Sequence, residues 1–162
     1  MSMLRLTMSE NGIKFLMEFE GFEKKVHHDT CGFSTIGIGH VLTKSEHSSG
    51  KILINNDFIQ YRGGLNDQQI MDLLKQDLVI FENVVRESVK IHPNQNMFDA
   101  LVSFAFCVGV TAFKNSTMLK LLNEGDYNGV FKQFRRWIYS NGKIINRLIN
   151  KRRAEIELFR KF

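Results

Sequence analysis

Glu20, Asp29 and Thr35 are the residues of this 162-residue chain whose types and spacing suit acid–base chemistry. Eight residues separate the two carboxylates and five separate Asp29 from the hydroxyl. Such a set can hand a proton to a leaving group and take one from water, provided the two acids meet different surroundings. Glu20 is expected near the end of a helix. Ser9 is a good N-cap, Gly12 is tolerated, and Gly21 supplies a left-handed stop. Ile13, Leu16, Met17 and Glu20 share one helical face, while Phe15, Phe19 and Phe22 make the opposite stripe apolar too. Desolvation and the negative end of the helix dipole would both favour the protonated acid. A glutamate fraying outward at a helix end has the same pattern, and only its neighbours separate the two readings.

Those neighbours read as a hairpin: a strand over Glu23 to His28, a turn at Asp29-Thr30-Cys31-Gly32, then a second strand. Asp29 is expected exposed and ionised at the strand end. In the second strand Ile36 and Ile38 point one way and Thr35, Gly37 and Gly39 the other. The two glycines would leave an open face on which a ligand could approach the backbone beside Thr35. Taken alone, the stretch is served as well by an ordinary hairpin with an Asx turn.

The stretch resembles the phage-type lysozymes (endolysins) of glycoside hydrolase family 24, whose pattern is Glu, eight residues, Asp, five residues, Thr. Here the pattern runs into Thr35-Ile36-Gly37-Ile38-Gly39-His40. The likeness continues through Phe106 with Gly109, Asn115-Ser116-Thr117, Arg136-Trp137 and the basic final helix. It implies a lysozyme-like α+β fold: a small N-terminal sheet lobe joined by a long helix to a helical C-terminal lobe. It also implies a muramidase, cleaving the β-1,4 bond between N-acetylmuramic acid and N-acetylglucosamine with inversion. Glu20 would be the general acid, Asp29 the base, and Thr35 would help hold the water.

By the same resemblance Val41, Phe106 and Ser116 fall at substrate-contacting positions, as does Phe131, where a polar residue is expected. Cys107 stands where Asn or Gln is usual, and Arg147 where glycine is common. His40 and Asp77 would form a structural ion pair that raises the histidine pKa and depresses that of the aspartate. The turn after Asp29 and the central helix would face one another, where a Cys31–Cys107 disulfide could lock the lobes.

Composition bounds these expectations. A chain of this length forms one core or two small lobes sharing a helix. The longest apolar run, Met97 to Val110, is too short to span a membrane and is interrupted by Asp99 and Ser103. Met1 to Thr7 lacks the apolar core of a signal peptide. Two cysteines make no disulfide framework, so free thiols are the default; no His/Cys spacing fits zinc, His27-His28 included, and no cofactor is called for. Lys132 to Phe162 carries ten Lys/Arg against two acids, +8, and the preceding 131 residues carry twelve against fifteen, −3. That asymmetry suits a polyanionic partner or a solvated helix face.

After Val41 a polar stretch runs to Gly50, and Lys51–Ile54 and Phe58–Tyr61 form a hairpin closed by Asn55-Asn56-Asp57. Asn66 and Gln69 make a capping box for a long helix that runs to about His92, where Pro93 stops it. Asp77 lies in its apolar stripe. A buried helix follows to Val108, then short helices capped at Ser116 or Thr117 and at Asp126, a turn at Asn141-Gly142, and a last helix from Lys143 to Phe159. The lobes are expected at about 13–65 and at 1–12 with 93–162, joined by the helix at 67–92.

Three other functions fit parts of the chain. A lytic transglycosylase shares the polymer but needs no water-activating Asp29. A membrane-active module would use the basic final helix, where Ile156 and Phe159 instead read as core, arguing against stable membrane insertion. Nucleic-acid binding has charge but no groove-reading motif. The expected partner is bacterial peptidoglycan, reached by a monomer that waits in the host cytoplasm until a pore-forming protein (a holin) opens the membrane.

Overall fold

The computed structural model describes residues 6–29 and 31–162. Met1–Arg5, which begin the stretch read for a leader, and Thr30 in the turn after Asp29 lie outside them. The first helix, α1 (Glu10–Glu20), starts where Ser9 caps it: the Gly12 N–H donates to Ser9 Oγ at 3.1 Å. It ends at Gly21, whose φ of +83° and N–H bond to the Met17 carbonyl make a left-handed stop. Gly12 is required rather than tolerated. A Cβ there would stand 2.6 Å from Met8 Cγ and 2.8 Å from the Asp99 carboxyl carbon.

Strands β1 (Glu23–His28), β2 (Ser34–Gly37) and β3 (His40–Val41) form an antiparallel sheet in that order. Ile36 pairs with His40, so the chain turns from Gly37, the last residue of β2, through Ile38 and Gly39 into β3 rather than extending β2. Both glycines sit in the left-handed region, at φ +68° and +69°. They serve the turn. The expected opening at Gly37 is filled, because a Cβ there would already touch the Ile70 side chain at 3.4 Å.

The polar stretch after Val41 is a helix, α2 (Lys44–Ser49). Thr43 and Glu46 form its capping box and Gly50 its left-handed end. Then β4 (Lys51–Ile54) pairs with β5 (Asp57–Gln60) across a two-residue Asn55-Asn56 loop, both at positive φ. Asp57 thus belongs to the strand and not to the turn. Asn66 and Gln69 exchange backbone–side-chain bonds of 2.9 and 2.8 Å at the start of α3 (Asp67–Ser88). This helix stops four residues earlier than the proline alone suggests, where the Asn123 side chain takes over bonding to Ser88 O and Lys90 N.

The buried helix is α4 (Gln95–Val108), capped by Asn94. A short α5 (Val110–Lys114), unforeseen, follows Gly109. Next come α6 (Thr117–Asn123), capped by Ser116, and α7 (Tyr127–Phe134), capped by Asp126 and ending short of Trp137. Asn141-Gly142 closes the hairpin β6 (Tyr139–Ser140) and β7 (Lys143–Ile144), so α8 spans only Asn146–Phe159.

The chain divides into two compact units, one of Leu16–Val79 and one of the residues up to Phe15 with Ile80–Phe162. The first is cored by Leu16, Ile36, Ile38, Ile52, Ile70 and Leu73, all at most 2 % exposed. The second is cored by α4, with Phe104 meeting Phe113, Phe134 and Trp137 edge-on or tilted. Small antiparallel sheets and a helical majority make the architecture α+β.

Candidate active site

Glu20, Asp29 and Thr35 all fall within the Leu16–Val79 unit. Glu20 is the last residue of α1 and half-buried. The start of that helix is anchored within the other unit. Asp99 of α4, fully buried, accepts the Ser9 N–H at 3.0 Å and the Ser9 hydroxyl, while Gln95 Nε2 donates to it at 2.8 Å. Glu82 accepts the Met8 N–H at 2.7 Å. Burial pushes both carboxyls above their ordinary pKa, against the pull of those donors.

Asp29 sits where β1 ends. Its Oδ1 accepts two backbone N–H groups, from Cys31 at 2.9 Å and Phe33 at 2.8 Å. Its own N–H donates to the Phe33 carbonyl at 2.9 Å. This is an Asx turn drawn tight. Among the described residues Oδ1 takes both of the side chain's hydrogen bonds and Oδ2 carries none. Asp29, expected exposed, is half-buried, its Oδ1 drawn onto the Cys31 and Phe33 N–H groups. The two acids therefore differ less in exposure than foreseen.

Thr35 is a correction of the same kind. It is 3 % exposed and not on an open face. Its Oγ1 lies 3.1 Å from His27 Nε2 and 3.4 Å from the His27 carbonyl. Val41, exposed on β3, is the register partner of Thr35.

His40 bridges two carboxylates. Nδ1 lies 2.8 Å from Asp77 of α3 and Nε2 lies 3.0 Å from Glu46 of α2. Burial lowers the imidazole pKa, but hydrogen bonds and charge from Asp77 and then Glu46 outweigh it and carry it to about 9. Glu46 escaped the sequence reading, although Thr43-Lys44-Ser45-Glu46 is a capping-box signature.

The remaining expected contacts lie in the other unit. Phe106 is half-buried, edge-on to Phe81 at 5.4 Å. Ser116 Oγ donates to the Phe113 carbonyl at 2.7 Å and accepts from Leu119 N at 3.1 Å. It lines a cavity of about 510 Å³ with Asn115, Gln133, Arg136 and Trp137. Phe131 packs on Phe159 at 5.6 Å and beneath the Arg160 guanidinium at 5.5 Å, so its ring is engaged within its own unit. Cys31 and Cys107 are both free thiols. Among the described residues no cluster of His, Cys, Asp or Glu could hold a metal, and no helix is long and apolar enough to cross a membrane.

The chain is 34 % identical over 156 residues to an endolysin of Bacillus phage PZA, covering 95 % of this chain. It spans about half the length of the Bacillus phage relatives it matches, 55 % and 54 %. An endolysin of Salmonella phage P22 is 33 % identical over 154 residues, covering 95 % of this chain and 98 % of its own. Among solved structures, the muramidase domain of SpmX from Asticaccaulis excentricus superposes with a TM-score of 0.78 at 28 % identity, covering 98 % of this chain and 100 % of that one. The phage lysozyme family model matches residues 17–155, which takes in every element from the end of α1 to α8. By that match and by its relatives, the chain belongs to the phage lysozyme family.

Proposed function

We propose that the chain is a muramidase, hydrolysing the β-1,4 bond between N-acetylmuramic acid and N-acetylglucosamine in peptidoglycan, for lysis of a bacterial host. The observation that carries this reading is the Glu20–Asp29–Thr35 set inside a phage lysozyme chain, with Asp29 held through Oδ1 and open at Oδ2. Relatives described as endolysins and a structural neighbour described as a muramidase domain support it.

Glu20 protonates the glycosidic oxygen as its bond to the anomeric carbon breaks. Asp29 Oδ2 takes a proton from water held beside Thr35, and the water oxygen bonds to that carbon from the opposite face. The product is inverted. Val41, Phe106 and Ser116 contact the glycan or its peptide, whereas Phe131, engaged with Phe159 and Arg160, adds an apolar edge rather than a hydrogen bond. The His40–Asp77 pair is structural. The chain acts as a monomer that waits in the host cytoplasm and reaches the wall once a holin has opened the membrane.

The test is turbidity loss of purified cell walls with mass analysis of the fragments. Reducing muramic acid ends are expected; 1,6-anhydro ends would mean a lytic transglycosylase instead. Glu20→Gln should fold normally and lose about 10²–10⁴-fold in rate, the range for a general acid. Full lysis by that variant would remove Glu20 from the role.

A further inference from the structure

We propose that His27 is a positioning residue that fixes the Thr35 hydroxyl as a hydrogen-bond acceptor toward the attacking water; this rests on the muramidase reading. His27 and Thr35 are directly paired between β1 and β2, and Thr35 is directly paired with Val41 on β3. Directly opposed residues of antiparallel strands present their side chains on one face. His27, Thr35 and Val41 therefore form one row across the sheet. Asp29 lies two residues beyond His27, just past the end of β1, and is still bonded to the facing segment through Phe33.

A threonine hydroxyl has one proton and two lone pairs. With the proton of His27 on Nε2, the ring donates to Oγ1 across 3.1 Å and the hydroxyl turns its own proton to the His27 carbonyl at 3.4 Å. With the proton on Nδ1, the hydroxyl donates to Nε2 directly. Either tautomer commits the threonine proton to His27 and leaves a hydroxyl lone pair that His27 does not use. Nδ1 is buried and has no partner among the described residues, so nothing on that side of the ring competes for its orientation.

The polarity matters to the reaction. An attacking water gives one proton to Asp29 and needs an acceptor for its second O–H, leaving a lone pair for the anomeric carbon. A hydroxyl free to rotate could instead donate to that lone pair and hold the water in an unreactive orientation. His27 prevents this.

The test is a double-mutant cycle on His27 and Thr35, with initial rates on soluble uncrosslinked glycan strands. His27→Ala should lower kcat about three- to tenfold, the effect of one hydrogen bond, with KM within about twofold. His27→Gln, whose amide reaches the Nε2 position, should recover most of the loss, and His27→Asn, which reaches only Nδ1, should not. In a Thr35→Val background His27→Ala should cost nothing further. An unchanged kcat in His27→Ala, equal rates for Gln and Asn, or the same loss without the threonine hydroxyl would each overturn the proposal. Should His27→Ala fail to melt cooperatively, the Gln and Asn variants decide between the same outcomes. Parent and Glu20→Gln run alongside: a parent that releases no reducing ends overturns the muramidase reading and this one with it, whereas an active parent with an indifferent His27 overturns this one alone.

Discussion

Asp29 shows how one side chain can serve both fold and chemistry. One carboxylate oxygen closes the turn through Cys31 and Phe33, and in the proposed mechanism the other takes the proton from water. These roles separate by mutation. Asp29→Asn keeps an acceptor at Oδ1 and should hold its stability while losing most of its wall-lytic rate. Asp29→Ala removes the acceptor of two turn N–H groups, one exposed and one part-buried, and should cost about 1 kcal/mol, read as a lower denaturant midpoint. Equal midpoints for the two variants would show that the turn does not depend on the carboxylate. His27 makes the complementary point. Read as sequence, it invited only the question of zinc. Its neighbour Thr35 becomes visible once the strands are in register, since alternation along β1 cannot name the residue opposite.

At the scale of elements, His40 ties β3 to α2 and α3 through Glu46 and Asp77. Its pKa rises from the ordinary 6.5 to about 9 on folding. A raised pKa means the folded state holds the proton more tightly. The contribution, on the order of 3 kcal/mol, is therefore full below about pH 6.5 and lost as pH climbs through 9. Urea midpoints measured from pH 6 to 9.5 should fall across that window, and in Glu46→Gln the fall should be smaller and end at a lower pH. A parallel decline in both proteins would remove Glu46 from the linkage. The cap of α2 offers a second check. Thr43→Ala removes the acceptor for Glu46 N and should cost about 1 kcal/mol, read as a lower midpoint with unchanged slope. Gly37 and Gly39 belong here too. Their spacing invited a ligand, whereas the short β2–β3 turn and the Ile70 side chain account for them.

Over the whole molecule, the basic C-terminal segment from Lys132 to Phe162 is less uniformly a binding face than its charge count implies. Of its ten Lys/Arg, Lys151 and Arg152 are buried; Arg152 makes a 2.8 Å ion pair with Glu155 and lies over the Phe104 ring at 5.1 Å. Seven others, among them Lys132, Arg135, Arg136 and Lys143, are exposed. Those suit the anionic polymers of a bacterial wall. Co-sedimentation with purified walls should weaken severalfold as NaCl rises from about 0.05 to about 0.5 M, because the screening length shrinks from over 10 Å to a few ångströms. Salt-independent binding would assign retention to the glycan contacts alone.

The spacing of Glu20, Asp29 and Thr35, the caps at Ser9, Asn66, Ser116 and Asp126, and the turn at Asn141-Gly142 are local. Each depends on side chains a few residues apart, and so the sequence by itself determined them, along with the α+β class and the family. What faces what is nonlocal. The His27–Thr35–Val41 row, Glu46 as the second carboxylate on His40, Ile70 filling the space at Gly37 and Asp99 anchoring the start of α1 join residues far apart along the chain or on different elements. Only the tertiary structure decided these, because strand register and packing, not local propensity, select which side chain stands opposite which.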